Sequence, residues 1–208
     1  MKTKIKNAFE KRGFFLEQDA IEKLVIYDRL LSKWQKAINL VSAATIDDVV
    51  ERHFYDSAQV FRYITDIHCT LADMGSGAGF PGMVLAILGV NEVHLIESDV
   101  RKATFLREVS RETGIKVNIH DMRVEDCSIP NIDVFTARAL APLRDLLAHT
   151  QKLATPGHPF YCLFSKGEQF QEEVEKAKKR FKFEIEAFSS ETDTSGKILK
   201  INKIENLY

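Results

Sequence analysis

The stretch Leu71-Ala72-Asp73-Met74-Gly75-Ser76-Gly77-Ala78-Gly79-Phe80-Pro81-Gly82 decides how the chain is read. An apolar run ends in an acid, four glycines follow within eight residues, and a helical pattern opens behind them. That order predicts a strand, a tight turn and a helix whose first turn faces a ligand. Glycines take positive φ and let a ligand approach the backbone. The free N–H groups of a helix start favour an anionic or strongly polar group. Pro81 suits the first helical turn, where its missing N–H costs nothing.

Gly77, Gly79 and Gly82 spell G-x-G-x-x-G, alone a weak dinucleotide signal. Gly75 and Asp73 extend it to Asp-x-Gly-x-Gly-x-Gly. That longer pattern resembles the first motif of class I methyltransferases that use S-adenosylmethionine. The resemblance implies that the loop holds the methionine end of the cofactor and that Asp73 helps orient its amino group.

Downstream, short apolar runs alternate with helical periodicity. Strands are expected around residues 71–74, 93–96, 116–120, 133–137, 160–164, 181–188 and 198–204, and helices at 83–88, 100–113, 143–153 and 169–180. Ala103, Leu106 and Val109 face inward in the second of these helices, which Gly114 ends. Such alternation means a mostly parallel seven-stranded sheet covered on both faces, an α/β Rossmann-like fold. Its ligands sit beyond the carboxyl ends of the strands. That rule selects Asp73, Glu97, the run Arg123-Val124-Glu125-Asp126, Arg138 and Lys166. Glu97 can accept both hydroxyls of a ribose, and Val124 can lie against an adenine. About 70 residues remain after the fourth strand, too few for a second mononucleotide-binding half plus a substrate domain, so a dehydrogenase is disfavoured.

Residues 1–66 read as an N-terminal helical segment packed on the core, and 67–208 as the methyltransferase domain. Gly13 breaks a first helix, and Ile21, Leu24, Val25, Leu31, Trp34 and Ile38 recur at helical steps after it. Thr45 or Asp47 can cap a further helix that buries Val49, Val50, Phe54, Phe61 and Ile64. On that helix His53 and Ser57 share a face, as do Arg52 and Asp56. They form either a polar seam over the sheet or an edge of the pocket.

The 208 residues, 45% hydrophobic and 28% charged, suit a globular domain with an appendage. Neither a membrane span nor a signal peptide is expected, and three scattered cysteines fit neither a disulfide framework nor a zinc site. The expectation is a cytoplasmic monomer without metal. Net charge is −1, yet basic residues cluster at Lys2, Lys4, Lys6, Lys11 and Arg12, and again at Lys176, Lys178, Lys179, Arg180 and Lys182. Both clusters are candidate phosphate contacts.

Asn39-Leu40, Arg52-His53-Phe54-Tyr55-Asp56-Ser57, the glycine loop, Glu97-Ser98 with Arg101-Lys102-Ala103, Arg123-Val124-Glu125 and Arg138-Ala139-Leu140-Ala141-Pro142-Leu143 together resemble the RsmG family, formerly GidB. The resemblance covers most of residues 39–167 and is loose thereafter. It implies methyl transfer from S-adenosylmethionine to the 7-nitrogen of one guanosine in the 530 loop of 16S rRNA, in the small ribosomal subunit. It implies cofactor contacts at Gly75, Phe80, Val124, Glu125 and Arg138, with Glu97 at the ribose; Gly77 of the glycine loop is expected beside them. That nitrogen carries a lone pair and no proton, so positioning rather than a general base is required. Arg138 is the expected catalytic-site residue, placing base and cofactor; Arg52, His53 and Lys166 are expected near the substrate. Alternatives are a class I methyltransferase acting on a small molecule or protein, and a non-catalytic RNA- or ribosome-binding module on the same fold.

Overall fold

The computed structural model describes residues 1–207; Tyr208, the last residue of the expected domain, lies outside them. Seven strands form one sheet: β1 (Thr70–Met74), β2 (Glu92–Ile96), β3 (Asn118–His120), β4 (Val134–Arg138), β5 (Tyr161–Lys166), β6 (Phe181–Ser189) and β7 (Lys197–Asn206), in the order β3-β2-β1-β4-β5-β7-β6. The first five pair in parallel, and β7 runs antiparallel to both β5 and β6. Strand order reverses beside β1, so the loops after β1 and β4 part and leave a crevice at their carboxyl ends.

Alternate residues of each strand feed two cores. Leu71, Leu95 and Val134 point to one face, where they meet α4 (Gly82–Ile87) and α5 (Val100–Thr113). Ala72, Ile96 and Phe135 point to the other, against α6 (Leu143–Leu153) and α7 (Phe170–Lys178). Local signals explain the best-defined helix. Asp99 caps α5 through the amides of Arg101 and Lys102, and Gly114 closes it in the left-handed region at φ 69°.

Helices α1 (Lys2–Glu10), α2 (Gln18–Trp34) and α3 (Asp56–Phe61) precede the sheet and share the first core. Tyr27 of α2 lies in a ring cluster with Phe54, Phe80 and Phe105. Fully burying each such side chain contributes about 1.5–3 kcal/mol, so this ring cluster ties the helical segment to the ligand loop.

The expected helix after Thr45 takes a different form. A 3-10 turn (Ile46–Asp48) leads into a π-helical turn (Val50–Tyr55) before α3 begins, and neither Thr45 nor Asp47 caps it. The wider i→i+5 ladder changes which side chains share a face. His53 and Asp56 therefore converge on one partner, Arg138. Arg52 turns instead to the β6–β7 loop, donating to the Thr192 carbonyl at 3.0 Å. Ser57 is buried, its hydroxyl without a partner among the described residues.

In the N-terminal basic cluster, expected to offer phosphate contacts, each basic residue has an acidic neighbour. Lys2 pairs with Glu22, Lys4 with Asp48, Lys6 with Glu10, and both Lys11 and Arg12 with Glu51. These acids come from elsewhere in the helical segment and neutralise most of the cluster.

Candidate active site

The loop from Gly75 to Pro81 leaves β1 and is fastened at every turn. The Ser76 amide donates to the Ile96 carbonyl at 3.0 Å, and its hydroxyl donates to the Asp73 carbonyl at 2.9 Å. The Gly77 amide donates to Glu97 Oε2 at 2.8 Å, while Glu97 Oε1 accepts from the Asp99 amide at 2.7 Å. One carboxylate thus ties the loop to the start of α5. Each of its oxygens retains a second lone pair.

Asp73 does not line the cleft. It is the penultimate residue of β1 and wholly buried. Its carboxylate accepts from the Thr136 hydroxyl at 2.7 Å and from the Gly82 amide at 3.2 Å. Burial raises its pKa to about 6, against the hydrogen bonds of Thr136 and Gly82. Asp73 therefore braces the far end of the loop rather than reaching a ligand amino group. Gly82 permits this close approach, since a Cβ there would lie 2.8 Å from Asp73 Cβ.

A cleft of 490 Å³ opens beside the loop, walled by Gly75, Gly77, Glu97, Val124, Glu125 and Arg138 among others. A short 3-10 turn (Val124–Asp126) brings Val124 and Glu125 to it. Sequence reasoning missed three further wall residues: Lys102, Met122 and His149. His149, from α6, lies 3.7 Å from Glu125, a long-range meeting that leaves no local signal. Phe80 reaches the wall too, but it is buried and stacked with both His53 and Tyr27 at 5.0 and 5.4 Å. Its larger role is to support the loop.

These residues fit S-adenosylmethionine. The free lone pairs of Glu97 suit a pair of ribose hydroxyls, Met122 and Val124 form an apolar wall for a purine, and Gly77 keeps the methionine side open. Apart from its chain neighbours, Gly77 has only the Gly75 carbonyl, at 3.9 Å, near where a Cβ would stand among the described residues.

A second cavity, of 690 Å³, lies across Arg138, Ala139, Leu140 and Ala141, which together with Leu40 line both spaces. Arg138 ends β4, its side chain 19% exposed. Its Nη1 donates to Asp56 Oδ2 at 3.0 Å and to the Arg52 carbonyl at 3.2 Å, its Nη2 donates to His53 Nδ1 at 2.9 Å, and its face lies 5.0 Å over Phe80. Three of five donors are used, which leaves Nε and one on Nη2. His53 passes the chain on to the Thr45 hydroxyl, 2.9 Å from its Nε2. Burial, then the cations of Arg138 and Arg52, lower the His53 pKa to about 3.

Arg52 and Lys166 line the second cavity as well. Lys166, expected near the substrate, is held within the fold: its ammonium donates to the Ala141 carbonyl at 2.6 Å and pairs with Glu173 at 2.7 Å. The β6–β7 loop was unassigned by sequence, yet Asp193 and Lys197 complete the wall. Among the described residues no group of three His, Cys, Asp or Glu side chains is placed to hold a metal, and no helix is long and apolar enough to cross a membrane.

Comparison with known proteins adds to this geometry. A family model described as GidB, rRNA small subunit methyltransferase G, matches residues 20–200. A Rhodospirillum centenum protein named ribosomal RNA small subunit methyltransferase G is 48% identical over 192 residues, 92% of this chain and 88% of its own length. A protein of the same name from Rickettsia prowazekii is 38% identical, covering 92% and 98%. Among solved structures, magnesium protoporphyrin IX methyltransferase from Synechocystis with bound S-adenosylmethionine aligns at a TM-score of 0.59 and 13% identity, over 90% and 98% of the two chains. A ribosomal protein L11 methylase from Lactobacillus delbrueckii gives 0.58 at 18%, over 71% and 76%. At such identities the structural likeness speaks to the fold, a class I methyltransferase.

Proposed function

This chain belongs to the GidB family, rRNA small subunit methyltransferase G, and on that premise we propose that it methylates the 7-nitrogen of a guanosine in the 530 loop of 16S rRNA, using S-adenosylmethionine. The observation that carries this reading is the shared wall Arg138–Ala141, where a cofactor-sized cleft meets a second cavity at the switch point of the sheet. When bound, the cofactor supplies a methyl group already activated by its sulfonium.

The chain's own residues supply placement. Glu97 would hold the ribose hydroxyls, Val124 and Met122 would cover the adenine, and the open space over Gly77 would receive the methionine end. Arg138 presents its two remaining donors at the junction, where they meet the guanine carbonyl oxygen or a neighbouring phosphate. It positions the base and takes no proton, because the attacking nitrogen bears none. His53 has both ring nitrogens engaged and stays neutral, so it adds no second cation beside a base that becomes positively charged. Bringing the reacting atoms into line can supply up to about 7–11 kcal/mol, which suits a site with no general base.

In the same reading, residues 1–66 are an accessory helical segment on a methyltransferase domain spanning 67–208. The protein acts as a cytoplasmic monomer without metal, and its substrate is the small ribosomal subunit rather than free RNA of any sequence. The test is transfer of labelled methyl to small subunits lacking the modification, with naked 16S rRNA alongside. Label recovered as 7-methylguanosine in the 530 loop supports the proposal. Label elsewhere, or only on protein or a small molecule, overturns it.

A further inference from the structure

The segment between β4 and α6 carries an outlier. Ala139 adopts φ 54°, in the left-handed region that residues with a Cβ enter at an energetic cost. The turn throws the next side chain, Leu140, out of the strand and into the mouth between the two cavities. Leu140 is 39% exposed although it is apolar, in a cavity walled by both charged and apolar residues. Its position is prepared from the other side. Gly75 also has a positive φ, 65°, and a Cβ there would overlap Leu140 Cδ1. A strained backbone and a missing side chain together hold one leucine in a place where folding alone gives no reason to put it.

The second cavity lacks an obvious way to grip the faces of a base. Among the described residues no Phe, Tyr or Trp lines it, and the His53 ring is already stacked with Phe80. Of the exposed large apolar side chains among the described residues, Leu140 alone reaches this cavity. Leu40, which also lines both cavities, is buried and pinned, its amide donating to Gln35 Oε1 at 3.0 Å. A base taken out of its stack needs an apolar surface for its π faces. Among the described residues Leu140 is the largest exposed apolar side chain where the two cavities meet, beside the smaller Ala139 and Ala141.

We infer that Leu140 is the platform on which the target purine stacks, holding the base level with the methyl donor while Arg138 fixes its edge. The inference rests on the rRNA methyltransferase reading above and adds to it a residue that determines base positioning. Loss of this platform should misplace the base rather than release the substrate, lowering kcat more than it raises KM.

The experiment compares the full-length wild type, Leu140→Ala and Leu140→Met on undermethylated small subunits, with cofactor Kd measured by calorimetry in the absence of RNA. Expected for Leu140→Ala is a kcat about tenfold lower, with KM and cofactor Kd each within about threefold of wild type. Leu140→Met, which keeps a flexible apolar side chain of similar volume, should recover kcat to within about threefold of wild type. Normal kcat in Leu140→Ala would overturn the inference, as would a loss in cofactor affinity equal to the loss in rate, which would make Leu140 part of the cofactor wall only. A wild type that methylates no subunit would remove the functional reading itself, and this inference with it.

Discussion

Arg138 Nη2 donates to His53 Nδ1 across 2.9 Å, joining the end of β4 to the π-helical turn that replaces the start of the third helix. An imidazole nitrogen that accepts from a guanidinium must be unprotonated, so His53 carries its proton on Nε2 and gives it to Thr45. The bond fixes the fork of Arg138, and it also ties a protonation state to the fold.

The consequence is an acid-sensitive contact. The His53 pKa of about 3 lies below its ordinary 6.5, so between these values the unfolded chain binds a proton that the folded chain refuses. The contribution is fully present above about pH 6.5 and is lost as pH falls toward 3. Asp73 works the other way: its pKa is raised from 3.8 to about 6, so the folded chain keeps a proton longer and this contribution fades as pH rises through that window. His53→Gln can accept from Arg138 and donate to Thr45 without titrating. Denaturant melts at about pH 6.5 and pH 5 should show wild type losing at most about 2 kcal/mol more than the variant. Parallel losses in both proteins would separate His53 from the acid response.

Glu97 should dominate cofactor affinity. Each of its oxygens accepts a backbone N–H, from Gly77 or Asp99, and both must remain acceptors. Glu97→Gln places an N–H against one of those donors and removes the charge, which should weaken binding of S-adenosylmethionine about 10- to 100-fold, following about 1.5–3 kcal/mol for a hydrogen bond to a charged group. Calorimetric titration reads this directly. Unchanged affinity would move the ribose elsewhere.

The two basic clusters should behave differently toward RNA. The N-terminal lysines are neutralised by Glu22, Asp48, Glu10 and Glu51. Lys179 and Arg180 have no carboxylate within 4 Å among the described residues, and they border a groove that meets the second cavity at Pro142 and Glu173. Lys179→Gln and Arg180→Gln should each reduce the slope of log K against log salt by about 1, while Lys4→Gln and Lys6→Gln leave it unchanged. The opposite ranking would place the RNA on the helical segment.

Where a feature depends on neighbours in sequence, it was legible in the residues. The span of α5 follows from its periodicity, the Asp99 cap and Gly114, and the positions of Glu97 and Arg138 follow from strand ends in a parallel sheet. Features made by distant residues were not. A π turn adds a residue to a helical ladder without changing the apolar rhythm much, so the pairing of His53 and Asp56 with one arginine was hidden. The burial of Asp73, the capture of Lys166 by Glu173 and the pairing of the N-terminal lysines each need a partner that only the folded chain supplies. The role of Leu140 depends on Ala139's backbone and on the missing side chain at Gly75, whose place the Leu140 side chain takes.

The most direct test of the Arg138-centred junction is single-turnover methyl transfer to undermethylated small subunits by wild type and Arg138→Ala, with cofactor affinity measured in parallel. Wild type should form one 7-methylguanosine in the 530 loop per subunit. The variant should remain folded and bind cofactor within about tenfold of wild type, yet transfer at least about 100-fold more slowly, a loss of about 3 kcal/mol in the transition state. Equal rates for the two proteins would contradict the assignment of base positioning to Arg138.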